Sequence, residues 1–226
     1  MERRSDNMKA VLFDYNGTLF FDADINHIAW KQTIEELSKG TIDFEEVYKD
    51  YKSVRNFLFV EKIFEMMNLP HNEEEILYWS RRKETQYYQT YCREHNRDKL
   101  SPGAEDFLNY LKQNNIPVNL CTASLIENVD FYFDYLKLYK WFDKEKIAYD
   151  DGTFYDKTQM YIECAKRIGY NIEDCVVIED SPTSIRQAIK AGCKNIIAIR
   201  REDTPDLPEI KQAIDDFTQI DKSILE

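Results

Sequence analysis

The 226-residue chain carries 42 acidic against 30 basic side chains, a formal charge of −12, which argues against a nucleic-acid binder because phosphate backbones are held by an excess of Lys and Arg. No apolar run is long enough to cross a bilayer, and Met1 to Asn7 is charged with no apolar segment behind it, so neither a membrane protein nor a secretory leader is expected. Cys92, Cys121, Cys164, Cys175 and Cys193 form no C-x-x-C pair, and His27, His71 and His95 are scattered. That pattern favours reduced, buried thiols over disulfides or a zinc site. The expectation is a soluble cytoplasmic protein, a monomer or weak dimer, built as one domain or as a core with a smaller insert.

Residues 9–14 open the fold. Five mostly apolar residues end at Asp14 and a polar turn, Tyr15-Asn16-Gly17-Thr18, follows, the pattern of a buried strand of a parallel sheet. From Asp22 to about Asn96 the chain is helical in character. Ile28, Trp30, Ile34 and Leu37 recur at helical spacing up to Gly40; Asp43 opens a second helix through Tyr51; Phe57, Val60, Phe64 and Met67 mark a third, stopped at Leu69-Pro70; Glu73 to about Arg93 reads as a fourth. Residues 22–96 are therefore expected to form an all-helical inserted domain.

Beyond the insert, helices and strands alternate. Helices are expected over Ala104–Gln113, Ile126–Leu136, Lys157–Ile168 and Pro182–Ala191, and strands over Ile116–Thr122, Lys146–Tyr149, Cys175–Ile178 and Asn195–Ile199. One further helix is expected in the acidic tail after Glu202. Such alternation implies right-handed crossovers and a parallel sheet, a Rossmann-like α/β core made of residues 1–21 plus 97–226.

Open sheets of this kind bind ligands beyond the carboxyl ends of their strands. Asp14, Thr122 and Glu179-Asp180 close apolar runs, and Lys157 begins a helix, so a parallel sheet delivers all four segments to one edge. Each has a plainer reading alone. Asp14 is an ordinary turn residue, Thr122 an ordinary strand end, Lys157 a surface lysine, and Asp180 or Ser181 a cap for the helix starting at Pro182. Adjacent carboxylates after a buried strand nevertheless repel unless a cation neutralises them, and Mg²⁺ takes hard oxygen ligands. A lysine is also disfavoured at the start of a helix unless anions lie nearby.

Asp14-Tyr-Asn16-Gly17-Thr18-Leu19 after an apolar strand, taken with Thr122, Lys157 and Val177-Ile-Glu179-Asp180-Ser-Pro-Thr-Ser-Ile-Arg-Gln-Ala-Ile-Lys-Ala-Gly192, resembles the haloacid dehalogenase-like phosphotransferases. The second stretch is similar to the subgroup holding β-phosphoglucomutase and phosphoglycolate phosphatase. The resemblance implies that Asp14 is the nucleophile that takes up a phosphoryl group. Gly17, Thr18, Thr122, Ala123 and Lys157 would bind that group. Mg²⁺ would be held by Asp14, the backbone carbonyl of Asn16 and Asp180, with Glu179 helping directly or from behind. Residues 22–96 would be the cap domain that closes over the site and reads a small phosphorylated metabolite. Leu125 and Ile126 stand where the phosphoglucomutases carry polar phosphate-binding groups, which counts against a sugar-phosphate mutase.

Two departures matter. Lys157-Thr-Gln-Met-Tyr161 replaces the family's usual Lys-Pro-x-Pro-Asp. More consequentially, Asn16 occupies the position of the second aspartate, the general acid and base. An amide neither gives a proton to a leaving alkoxide nor takes one from water. The expected activity is a phosphatase weakened in proton transfer; the alternatives are a non-catalytic phosphate-ligand-binding scaffold and, ranked last, a 2-haloacid dehalogenase.

Overall fold

Ala10–Phe13, completely buried, forms β1. It pairs with β2 (Val118–Leu120) on one side and β3 (Cys175–Glu179) on the other in a five-stranded parallel sheet completed by β4 (Asn195–Ile199) and β5 (Ile210–Ile214), in the order β2-β1-β3-β4-β5. β1 and β3 read as unbroken apolar runs because both of their faces are covered. Phe13 is in register with Leu120 on one side and Ile178 on the other, and Glu179 pairs with Ala198. Asp14, Thr122, Asp180 and Arg201 therefore leave the sheet along the same edge.

The computed structural model describes residues 9–51 and 55–225. They divide into two units. One runs to Phe21 and takes in Lys99–Ile126 and the chain from Tyr132 on; the other comprises Asp22–Asp98 and Glu127–Phe131. The expected boundaries differ in placing 97–98 and 127–131 with the core.

The second unit is helical: α1 (Ala23–Ser38), α2 (Phe44–Tyr51), α3 (Asn56–Met66), α4 (Glu73–Arg82) and α5 (Gln89–Glu94). Trp30, Ile34, Phe59, Val60, Ile63 and Phe64 form its apolar core. α4 starts at a capping box in which the Asn72 side chain accepts from Glu75 N and the Glu75 carboxylate accepts from Asn72 N.

Between α4 and α5 the helix widens into π-helical turns over Lys83–Tyr88. This turns two consecutive charged side chains, Lys83 and Glu84, into the interior. Lys83 Nζ donates to Glu84 Oε1 at 2.9 Å and Asn26 Oδ1 at 2.6 Å, and lies over the Trp30 and Tyr88 rings. Glu84 also accepts from Asn56 and Asn128. The Arg81-Arg82-Lys83 run, readable as a solvated face, is thus split. Arg81 pairs with Glu127, Arg82 forks onto Glu36, and Lys83 is buried.

In the first unit α6 (Ala104–Gln113), α7 (Ile126–Tyr135), α8 (Lys157–Arg167) and α9 (Pro182–Ala191) complete the α/β alternation. Residues 127–131 of α7 belong to the helical unit. Two sequence expectations need correction. Lys146–Tyr149 is no strand of the sheet; it contributes a single parallel bridge, Ala148 to Cys121. The tail after Glu202 forms the edge strand β5 and two short 3₁₀ turns, Phe217–Gln219 and Lys222–Leu225, where a helix was expected. Burial along β5 alternates, with Lys211 and Ala213 more exposed than Ile210, Gln212 and Ile214, the period of a strand with one covered face. All five cysteines are free and buried. Among the described residues no helix is long and apolar enough to cross a membrane.

Candidate active site at the carboxyl edge of the sheet

The Asp14 amide continues the β1 ladder by donating to Ile178 O at 3.0 Å, which fixes the side chain just past the strand. Lys157, first residue of α8, reaches it. Its Nζ donates to Asp14 Oδ1 at 2.7 Å and to Glu179 Oε1 at 2.5 Å, and all three groups are buried. The N-terminus of α8 is capped separately by the Asp156 carboxylate, which accepts from Thr158 N and Gln159 N. A buried cation at the positive end of a helix is stable here because two carboxylates embrace it.

Glu179 is saturated. Oε1 accepts from Lys157 and from Tyr161 OH at 3.0 Å; Oε2 accepts from the amides of Asp180 at 2.7 Å and Ser181 at 3.1 Å. Four donors fill the usual acceptor capacity of a carboxylate. Asp180 is held differently. Thr18 Oγ1 lies 3.4 Å from its Oδ1, and its Oδ2 packs so closely on Gly17 that a Cβ at that position would come within 2.3 Å. Gly17 has φ +74°, so both the turn and this approach require glycine. One oxygen from each of Asp14, Glu179 and Asp180 lies within 4.8 Å of the others.

Electrostatics follows from this crowding. Burial alone would raise the Glu179 pKa, but the Lys157 ion pair and the amides of Ser181 and Asp180 hold it below the usual carboxylate range. Burial, then the Glu179 charge, pushes Asp14 well up despite its own contact with Lys157. The same two causes push Asp180 up to about 7, against Arg201. One lysine thus serves two carboxylates unequally, and Asp14 and Asp180 are left short of positive charge. Hard, clustered oxygens with excess negative charge suit a small divalent cation such as Mg²⁺.

A second group surrounds Asn16. Ser124 Oγ donates to Asn16 Oδ1 at 2.8 Å, and Asn16 Nδ2 donates to Tyr132 OH at 3.2 Å. Thr122 Oγ1 donates to Ser124 Oγ at 3.0 Å, extending the chain of polar groups to the tip of β2. Tyr132 is fully buried and stacked on Tyr15 with centroids 3.6 Å apart. Several amides expected to face an anion are engaged locally: Gly17 N donates to Phe20 O, Thr18 N to Tyr15 O, and Thr122 N to Ala148 O. The hydroxyls of Thr18 and Thr122 are what these residues offer the site. Ala123 lies between Thr122 and Ser124 in the loop leaving β2.

The structure therefore brings Asp14, Lys157, Glu179, Asp180 and Thr18 together, and joins Thr122 to Asn16 through Ser124. Sequence reasoning passed over Arg201, Ser124, Tyr132 and Tyr161. Arg201 had a signal available, since it follows β4 as Asp14 follows β1. Tyr132 and Tyr161 had none, because each sits on the inner face of a helix where an aromatic residue reads as core.

A buried carboxylate just past β1, held by a lysine that it shares with the end of β3, lies at the carboxyl edge of a parallel α/β sheet. The family model described as "Hydrolase: haloacid dehalogenase-like hydrolase" matches residues 8–192, and the chain belongs to that family. A solved HAD hydrolase of family IA, variant 3, from Entamoeba histolytica is 31% identical and superposes with a TM-score of 0.84, covering 96% of this chain and 97% of that one. A β-phosphoglucomutase from Clostridium difficile shares the fold at 22% identity and a TM-score of 0.75, covering 96% and 94%. The enolase-phosphatase E1 of Persephonella marina is 25% identical, over 94% of this chain and 98% of that protein.

Proposed function

We propose that the chain is a Mg²⁺-dependent phosphatase of a small phosphorylated metabolite, working through an aspartyl phosphate on Asp14. The observation that carries this reading is the triad of Asp14, Glu179 and Asp180, with one oxygen of each within 4.8 Å of the others and Lys157 bonded to the first two. In the first step an Asp14 oxygen attacks phosphorus in line and the bond to the leaving oxygen breaks. In the second, water attacks the same phosphorus and the carboxylate is regenerated. Lys157 and the Thr122 hydroxyl would hold the phosphoryl oxygens, with the Ala123 amide and the Thr18 hydroxyl. Mg²⁺, bound by Asp14, Asp180 and the Asn16 carbonyl, would neutralise charge on the transferring group. Glu179, with its acceptor capacity filled, serves as the group that orients Lys157 and the Asp180 backbone.

Asn16 limits the proton transfers. Its side chain is held at both ends by Ser124 and Tyr132 and has no acidic proton to give. Turnover of alkyl phosphates is slow, and a phosphorylated Asp14 accumulates when the leaving group departs without a proton. The helical unit is assigned the reading of the substrate, and the cytoplasm is the expected compartment. This same residue favours one competing reading, a scaffold that binds phosphorylated ligands without turnover.

Hydrolysis of p-nitrophenyl phosphate with Mg²⁺ by the chain as it stands and by Asn16→Asp decides between them. A large gain in the variant supports the phosphatase; inactivity of both, in folded protein, supports the scaffold. Chloride release from 2-chloropropionate without metal would instead revive the dehalogenase.

A further inference from the structure

Two arginines follow β4, and they part company. Arg200 turns to Asp215 and to the Ala213 carbonyl. Arg201 turns to the acidic edge: its Nη2 donates to Gly17 O at 2.5 Å, its Nε donates to Asp180 Oδ2 at 3.3 Å, and its guanidinium lies 5.4 Å from the centre of the Phe21 ring. Its backbone is held as firmly. Arg201 N donates to Thr204 Oγ1 at 2.6 Å and Thr204 N donates back to Arg201 O at 3.2 Å.

The positive charges of the site are thereby divided. Lys157 serves Asp14 and Glu179, while Arg201 serves Asp180. The two differ in access, since the Lys157 side chain is 8% exposed and that of Arg201 36%. Lys157 is locked inside; Arg201 covers Asp180 from the open side. The Asp180 oxygen it holds is the one pressed against Gly17, so glycine backbone and guanidinium enclose that oxygen between them.

We propose that Arg201 is the resident cation of Asp180, which a divalent ion must displace from that carboxylate, so that this arginine sets the metal concentration the protein requires. The proposal rests on the metal reading given above. A guanidinium keeps its charge throughout the physiological range. A dication bound by Asp180 would share one carboxylate with it, and like charges at such separations repel strongly in a partly buried site. Because Thr204 ties the Arg201 backbone, the side chain leaves Asp180 by rotation about its own bonds while the turn at 200–204 stays in place.

Calorimetric titration of the full chain with MgCl₂ alone tests this, on the native sequence, Arg201→Lys and Arg201→Met. Removing the competing charge is expected to tighten Mg²⁺ binding about tenfold in Arg201→Met, with Arg201→Lys between the two. Exchange of the Arg201 Nε proton, followed by NMR on the native protein, gives a second readout that needs no variant: it should speed up when Mg²⁺ is added and the bond to Asp180 is lost. Equal or weaker binding by a folded Arg201→Met, or unchanged exchange of the Arg201 Nε proton in metal-loaded native protein, overturns the proposal and leaves the metal reading intact. Absence of binding by all three proteins overturns both.

Discussion

Asn16 is the residue on which activity turns. Its partners are both hydroxyls: Ser124 Oγ donates to Asn16 Oδ1, and Tyr132 OH, which accepts from Asn16 Nδ2, can turn its proton to donate to a carboxylate oxygen instead, so Asn16→Asp fits the same surroundings. The variant is expected to raise kcat/KM for alkyl phosphates by about 10²–10⁴, the usual contribution of a positioned acid and base. The gain on p-nitrophenyl phosphate should be smaller in the first step, because its leaving group departs without help; equal gains on both substrates would argue against an acid role. Asp180 makes a separate prediction. With its pKa pushed up to about 7 by burial and by Glu179, the carboxyl keeps a proton below that pH which a cation must expel. Mg²⁺ affinity should therefore rise as the pH is raised through about 7, as titrations on either side of that pH would show. At this scale the clustering of Asp14, Lys157, Glu179 and Asp180 was readable, because a parallel sheet delivers the ends of its strands and the starts of the helices that follow to one edge. The engagement of the Gly17 and Thr18 amides was not, since backbone hydrogen bonds inside a turn leave no trace in composition.

Elements explain where the reading of the chain failed. Ile210, Ala213 and Ile214 suit helical as well as strand spacing over so short a segment, so the tail after Glu202 holds no signal that separates the helix expected there from β5; pairing with β4 decides it. The π-helical turns were illegible for a similar reason. Lys83 and Glu84 are charged and continue the run Arg81-Arg82, which reads as a solvated face, yet both are buried. This segment is expected to be a sensitive point of the helical unit. Glu84→Ala leaves Lys83 buried without its carboxylate and should cost about 3–5 kcal/mol in urea unfolding. Replacing both with apolar residues of similar size should cost much less. Equal losses would show that packing around the site, and not the ion pair, carries the stability.

At the scale of the whole molecule the division into a sheet unit and a helical unit was foreshadowed by the change of periodicity after Phe21 and its return near Leu100. The thiols follow that division. Cys92 lies in the helical unit, and Cys121, Cys164, Cys175 and Cys193 lie in the sheet unit. Burial pushes Cys92 up to about 12 and Cys193 up to about 11, so neither is a nucleophile while its surroundings stay folded. Each unit thus carries its own chemical clock. Alkylation followed cysteine by cysteine would time the opening of the two units separately, and a saturating divalent cation should slow the four clocks of one unit while Cys92 keeps its pace. A common slowing of all five would mean that the two units open as one.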